Sequence, residues 1–326
     1  MAYHILVPDN LDKAGLNLLS AAPDVTVQSA AKMSRDEVLA AIPNVDALII
    51  RSATKVDRTM LEAAPKLKLV GRAGVGVDNV DLDAATDRGI VVMNAPDGNT
   101  VATAELAFGL MLSLVRHIPL AYNSLHEGQW DRKSFMGSEL RGKTLGIIGF
   151  GRVGRAIAKR ALAFEMTVIA YDPFVSPEAP MAMGVTPVTL DELYAKSDFI
   201  TLHALVTDEN MHMINAESIA KMKPTVRIIN AARGALIDEA ALAQAVKDGK
   251  IAGAGIDVYG EEPPEAGNPL IGLKGILHTP HLGASTLEAQ DEVAIQIANQ
   301  TLDALFKGEY RSVVNPDVLK KLDLKA

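Results

Sequence analysis

Four polar residues in the second half of the chain each follow a strand-like apolar run: Arg233, Asp257, Glu262 and His281. Open α/β sheets bind ligands at the C-terminal ends of their strands, so these positions are candidates for chemistry. Histidine suits proton transfer near neutral pH. A carboxylate beside it would fix the tautomer and stabilise the imidazolium, while an arginine can grip a substrate carboxylate bidentately and polarise the neighbouring carbonyl. Each residue has a plainer alternative. Arg233 could cap a helix, Glu262 could be a solvated loop acid, and His281 a structural histidine. His203 also follows a strand, and position alone does not separate the two histidines.

The elements that would position such chemistry centre on Leu145 to Asp172. A buried strand, Thr144-Leu145-Gly146-Ile147-Ile148, runs into Gly149-Phe150-Gly151-Arg152-Val153-Gly154. A helical run, Arg155 to Leu162, follows, and then a second strand, Met166 to Tyr171, ending in Asp172. In that setting Gly149 permits a tight turn, Gly151 lets the backbone approach a pyrophosphate, and Gly154 lets the helix pack close to the strand. The helix N-terminus offers N–H groups and a positive dipole end to phosphates. Asp172 can accept the hydroxyls of an adenosine ribose, and it would repel a 2′-phosphate. Pro173-Phe174 supply no arginine to receive one, so the expected cofactor is NAD rather than NADP. Hydride transfer at a carbinol carbon then needs the proton carrier described above.

Strand-like and helix-like pieces alternate along the chain, as in parallel sheets covered by helices on both faces. Strands are expected at 4–8, 25–27, 47–51, 67–70 and 90–93. Helices are expected at 11–20, 34–40, 57–63 and 81–86, with Ser34 and Glu37 forming a capping box. Ala95-Pro96-Asp97-Gly98-Asn99 reads as a domain crossing. A helix from Thr100 to Arg116 follows; it is apolar nearly all round, is expected to end at Pro119, and should be buried, including against a second subunit. His126 to Arg141 reads as a loop with one anchoring aromatic, Trp130. Later strands are expected at 199–202, 226–229 and 254–257, with helices at 216–222 and 238–247. A last long helix, 285–306, leads to a short strand at 311–314 that returns to the first domain. The fold class is α/β with two domains. A central Rossmann domain (99–285) is inserted in a flavodoxin-like substrate domain (1–98 and 286–326), with the active site expected in the cleft.

Hydrophobic residues make up 48% and charged residues 22%, a soluble composition, and the net charge of −8 disfavours nucleic-acid binding. With no cysteine, disulfides, thiolate metal sites and a cysteine nucleophile are excluded, and no metal is expected. The N-terminus lacks a signal-peptide pattern, and the longest apolar run, around Leu106 to Val115, is too short to span a bilayer. The expectation is a cytoplasmic protein with no membrane partner.

Three motifs make the chain resemble one family. Asn230-Ala231-Ala232-Arg233-Gly234, Asp257-Val258-Tyr259-Gly260-Glu261-Glu262-Pro263 and Pro280-His281-Leu282-Gly283-Ala284-Ser285-Thr286 are similar to the signatures of the D-isomer-specific 2-hydroxyacid dehydrogenases. The resemblance runs from about Tyr3 to Asn315. It implies that Arg233, Glu262 and His281 are catalytic and that Asp257 contacts the nicotinamide carboxamide. It further implies that Gly149, Gly151, Arg152, Val153, Gly154, Asp172, Ala204, Ala231, Arg233, Asp257, His281 and Ala284 hold NAD. Residues 50–56, 71–81 and 135–137 are most similar to the branch that oxidises D-3-phosphoglycerate, implying a small phosphorylated 2-hydroxy acid as substrate. Arg51 and Arg72, each at a strand end, would then grip its phosphate, and backbone N–H groups around Gly74, Val75 and Gly76 would take its carboxylate. Surface ion pairing is the plainer reading of both arginines. The resemblance also implies a homodimer or homotetramer in which Arg132 or Lys133 reaches a neighbouring subunit's phosphate.

The chain departs from the family pattern at Val75, where many relatives carry threonine, and at Leu205, where proline is usual. Many relatives also carry a C-terminal regulatory domain that binds serine. The chain ends shortly after Asn315, so that domain and its feedback are not expected. Two other readings stay open: a hydroxypyruvate or glyoxylate reductase or another 2-hydroxyacid dehydrogenase, and an NAD-sensing, corepressor-like binding protein.

Overall fold

The computed structural model describes residues 2–323. It divides the chain into two compact units, one made of the residues up to Asn99 and from Ala284 onward, the other of Thr100–Gly283.

The first segment folds into five strands, β1 (Tyr3–Val7), β2 (Val25–Ser29), β3 (Ala47–Ile50), β4 (Leu69–Arg72) and β5 (Val91–Asn94). They pair in the order β2-β1-β3-β4-β5, all parallel, which is the flavodoxin-like order. β3, with the sequence Ala-Leu-Ile-Ile, is buried at every position. A strand covered on both faces has no polar side to show, so its apolar run is continuous. The connecting helices are α1 (Lys13–Ala21), α2 (Arg35–Ala41), α3 (Arg58–Glu62) and α4 (Leu82–Asp87), started by the side chains of Asp12, Ser34, Asp57 and Asp81. The Ser34–Glu37 capping box is formed.

The second unit opens with α5 (Thr100–Val115) and α6 (Ile118–His126). Pro119 does not end the first of these helices. It sits in the opening turn of the second, where its missing N–H costs nothing. α5 packs on the sheet through Ala104, Ala107, Phe108, Met111 and Val115, whereas α6 buries no residue. Trp130 anchors nothing among the described residues, since it is 79% exposed.

A seven-stranded sheet follows, of β6 (Thr144–Ile148), β7 (Thr167–Tyr171), β8 (Thr186–Pro187), β9 (Phe199–Leu202), β10 (Arg227–Asn230), β11 (Gly253–Ile256) and β12 (Ile276–His278). Its parallel order, β12-β11-β10-β9-β6-β7-β8, is the Rossmann order extended by one strand. Among its helices, α7 (Arg152–Ala163) follows β6, α8 (Glu178–Met181) and α9 (Leu190–Lys196) flank β8, α10 (Ala216–Ala220) precedes β10, and α11 (Glu239–Lys247) precedes β11.

The chain then returns to the first unit. α12 (Leu287–Lys307), capped by Thr286, lays Val293, Ala294, Ile297 and Ala298 into the core beside α1 and β4. α13 (Asp317–Lys321) closes the described chain. The strand expected at 311–314 is absent; only one isolated bridge, Val313 to Met93, is made. Two backbone bonds, from the Val314 N–H to the Val92 carbonyl at 2.9 Å and from the Asn94 N–H to the Ser312 carbonyl at 3.2 Å, tie the tail down together with the Asn315 side chain. It accepts the Val92 N–H at 2.8 Å and donates to the Ile90 carbonyl at 3.0 Å.

Candidate active site

In the second unit, the residues singled out from sequence gather at the C-terminal edge of one sheet. Gly149 follows β6, Asp172 follows β7, Ala204 follows β9, Ala231 and Arg233 follow β10, Asp257 follows β11, and His281 lies beyond β12. Gly149 has φ 91°, and a Cβ there would lie 2.6 Å from the Ala204 nitrogen and the His203 carbonyl. A Cβ on Gly154 would lie 2.1 Å from the Gly149 oxygen, so the helix approaches the turn only because the side chain is missing. Gly151, the N-cap of α7, faces open space, and the following N–H groups of Arg152 and Val153 begin the helix. This is the geometry that receives an anion.

Asp172 is fixed by two backbone donors. The Phe150 N–H reaches Oδ2 at 2.7 Å and the Phe174 N–H reaches Oδ1 at 2.9 Å. Each oxygen keeps a further lone pair for a ribose hydroxyl. Beside it lies a cavity of about 450 Å³ walled by Tyr171, Val175, Pro180, Pro187 and Val188. Apolar walls, the carboxylates of Asp172 and Glu192 and a helix N-terminus without a side-chain cap fit a dinucleotide.

The two histidines separate clearly. His203 lies 2.9 Å from the Thr201 hydroxyl, and burial pushes its pKa down to about 3, leaving it neutral in ordinary buffers. His281 is half-exposed, and its Nδ1 meets Glu262 Oε2 at 2.5 Å. That bond, aided by the nearby charges of Glu262 and Asp257, raises the His281 pKa above its ordinary 6.5; burial and Arg233 oppose it. Burial alone would raise the Glu262 pKa. The bond to His281 and the Tyr259 N–H, 3.1 Å from Oε1, outweigh it and hold the carboxyl below its usual range. With Nδ1–H donated to Glu262, Nε2 carries the lone pair that can take a proton.

Asp257, expected from the resemblance to contact the carboxamide, has partners within the chain. It is fully buried, and its carboxylate accepts the Thr279 hydroxyl at 2.5 Å and the N–H groups of Leu282 and Gly283 at 2.8 and 2.9 Å. Its carbonyl accepts the His281 N–H at 2.8 Å. The bonds bend the chain so that His281 takes the left-handed conformation, φ 53°. Arg233, half-buried, donates to the Ala232 carbonyl at 2.7 Å and contributes charge to both Glu262 and His281. Leu205 is 73% exposed on the loop after His203. Ala284 begins the returning segment, where its carbonyl accepts the Gln290 side chain.

In the first unit, Arg51 and Arg72 lie at neighbouring strand ends, since Ile50 pairs with Arg72 across β3 and β4. Arg51 donates to the Asn10 carbonyl at 2.9 Å and Arg72 to the Ala73 carbonyl at 3.3 Å. Arg72 folds over Gly74, where φ is 148° and a Cβ would lie 1.4 Å from Nη1. The Gly74 N–H, expected to serve a carboxylate, donates to the Arg72 carbonyl at 2.9 Å. The N–H groups of Val75 and Gly76 make no hydrogen bond among the described residues, and the Val75 carbonyl is held by Asn94. Arg132 and Lys133 are exposed on the irregular segment after α6.

Two residues of this region escaped the sequence reading. Asp9 accepts the Arg51 N–H at 2.6 Å and the Thr54 hydroxyl at 2.7 Å, and Asn79 donates to the carbonyls of Arg51 and Thr54. Together they build the loop that presents Arg51. An acid placed just past the first strand was the available signal.

Comparison with known proteins agrees with this geometry. Residues 108–283 match the family described as D-isomer specific 2-hydroxyacid dehydrogenase, NAD binding domain. The chain is 47% identical over 323 residues to a D-3-phosphoglycerate dehydrogenase from Synechocystis, covering 98% of this chain and 58% of that one. It is 48% identical over 305 residues to a hydroxypyruvate reductase from Thermotoga maritima, covering 93% of this chain and 98% of that one. A glyoxylate reductase from Paecilomyes thermophila superposes with a TM-score of 0.86 at 33% identity, covering 96% and 98% of the two chains. The chain spans between 56% and 61% of the length of the phosphoglycerate dehydrogenases it matches.

Proposed function

Because the chain belongs to the D-isomer specific 2-hydroxyacid dehydrogenase family and its second unit is that family's NAD-binding domain, we propose that it oxidises D-3-phosphoglycerate to 3-phosphohydroxypyruvate. The observation that carries this reading is the 2.5 Å contact between His281 and Glu262 at the strand edge that also bears the glycine turn. When bound, NAD supplies the hydride acceptor. Nε2 of His281 takes the hydroxyl proton of the substrate, and Glu262 stabilises the resulting imidazolium. Arg233 holds the carboxylate and polarises the developing carbonyl. The phosphate is assigned to Arg51 and Arg72, and the similarity to phosphoglycerate dehydrogenases supports that choice over an unphosphorylated acid.

The protein is proposed to act in the cytoplasm as a homodimer or homotetramer. α6 buries nothing in its own chain while exposing Ile118, Leu120, Tyr122 and Leu125, and Trp130 lies exposed just beyond. A second copy would cover that face and bring Arg132 or Lys133 to its neighbour's phosphate.

A hydroxypyruvate reductase is the second reading, favoured by the 98% coverage of the Thermotoga relative. A substrate panel decides between them. NADH formation is measured with D-3-phosphoglycerate, D-glycerate and D-lactate, NADH consumption with hydroxypyruvate and glyoxylate, each repeated with the NADP pair. Preference for the phosphorylated acid supports the proposal, and no preference rejects it. Absence of turnover with every acid would favour an NAD-sensing binding protein.

A further inference from the structure

Glu239 opens α11, directly after the N-cap Asp238, and is half-buried. Its Oε1 accepts the Gly260 N–H at 2.8 Å and its Oε2 accepts the Asn268 side-chain amide at 2.6 Å. Gly260 and Asn268 bracket the segment that carries Glu262. That segment contains no helix or strand, and Gly260 to Pro263 are all exposed. Buried side chains hold the chain on either side of it: Tyr259 before, whose hydroxyl donates to the Thr279 carbonyl at 3.1 Å, and Leu270 after, 1% exposed. One carboxylate therefore ties both ends of an exposed loop to a helix that the loop does not contain. Charge-assisted bonds of this kind are stronger than neutral ones, and a helix N-terminus favours the negative group.

We infer that Glu239 is a positioning residue for the proton-transfer pair: it acts through the 260–268 loop to hold Glu262 against Nδ1 of His281. The inference rests on the reading of Glu262 and His281 as that pair. Consecutive loop N–H groups divide the work. Tyr259 donates to Glu262 itself, at 3.1 Å, and Gly260 donates to Glu239. Gly234 lets the start of the loop pack directly on the backbone after β10, because a Cβ there would lie 1.9 Å from the Tyr259 carbonyl carbon. Released from Glu239, the Gly260 end and the Asn268 end lose their shared acceptor, and Glu262 gains freedom that weakens its bond to the ring. His281 then keeps the charges of Asp257 and Arg233 beside it but loses the partner that fixes its tautomer.

The test compares Glu239→Ala and Glu239→Gln in the otherwise intact chain, alone and combined with Glu262→Gln. Glu239→Ala is expected to lower kcat about tenfold, the effect of about 1.4 kcal/mol, with KM for NAD unchanged. It should also move the His281 ring titration, followed by NMR, downward toward the ordinary histidine value. Glu239→Gln retains an oxygen for Gly260 but not an acceptor for Asn268, whose own amide oxygen is held by the Leu270 N–H at 3.0 Å, so both readouts should recover only in part. In the Glu262→Gln background the alanine substitution should cost less than twofold, because its route of action is already removed. An equal loss in both backgrounds, or an unmoved His281 titration, overturns the inference. If Glu239→Ala does not fold, Asn268→Ala removes one of the two bonds and is read the same way. Failure of the proposed reaction shows separately, as wild-type protein inactive on every 2-hydroxy acid, and the His281 titration still decides the role of Glu239.

Discussion

The two units are both doubly wound parallel sheets, and each has a glycine-rich turn at a strand end, yet the turns solve different problems. After β6, Gly149 and Gly151 lead straight into a helix, whose first turn is the kind of site that receives an anion. After β4, Gly74 to Gly76 open no helix. There Gly74 gives up its N–H to Arg72, and the space above it is filled by the Arg72 guanidinium. In one unit a helix N-terminus presents the backbone, and the His281–Glu262 pair lies at the same strand edge. In the other, glycine makes room for a charged side chain. A shared topology thus leaves the choice of anion-binding device to a few residues beyond the strand ends.

Substitutions can break or sharpen that contrast. His281→Ala should lower kcat by about a thousandfold, within the range for a lost general base, while NAD binding measured by fluorescence titration stays near wild type. Arg51→Ala should lower kcat/KM for the phosphorylated acid by about ten- to a hundredfold, the cost of one charged hydrogen bond, and leave the rate on D-lactate nearly unchanged. Gly74→Ala should reproduce much of an Arg72→Ala phenotype, because its Cβ would occupy the position of Nη1. Steady-state kinetics on phosphorylated and unphosphorylated acids checks both. A uniform loss on all acids would mean that the first unit does not sort substrates by phosphate. Asp172→Ala is the mildest change: the preference for NAD over NADP should narrow by about tenfold as one carboxylate contact and one repulsion are lost, read from the ratio of kcat/KM values.

Much of the molecule was legible because its signals are local. Gly149 and Gly154 are each required by close backbone contacts while Gly151 faces open space, and Ser34 with Glu37 announces a helix start within four residues. The errors arose where one local signal has two meanings. Pro119 stops helices and also begins them, and here it begins one. The apolar tail around Val313 reads as a strand, but its pairing with β5 stops at one bridge and two backbone bonds, and the Asn315 side chain takes the Val92 N–H. Asp257 was identified, but its partners lie on a loop more than twenty residues away, so its structural task could not be read from spacing. Glu239 was invisible for the same reason. An acid in the first turn of a helix is expected for the dipole alone, and nothing in the sequence says that it reaches Gly260 and Asn268.

The central claim is that one imidazole, tuned by Glu262, carries the proton that accompanies the hydride. The pH dependence of kcat/KM in both directions tests it most directly. Oxidation requires neutral His281, so its rate should rise with pH through a pKa above 6.5; reduction requires the imidazolium, so its rate should fall through that same pKa. In Glu262→Gln the shared pKa should move down toward 6.5, because the bond that raises it is weakened. Mirrored profiles that shift together with Glu262 are the expected result. Profiles that are flat, or that ignore the substitution at Glu262, would contradict the account.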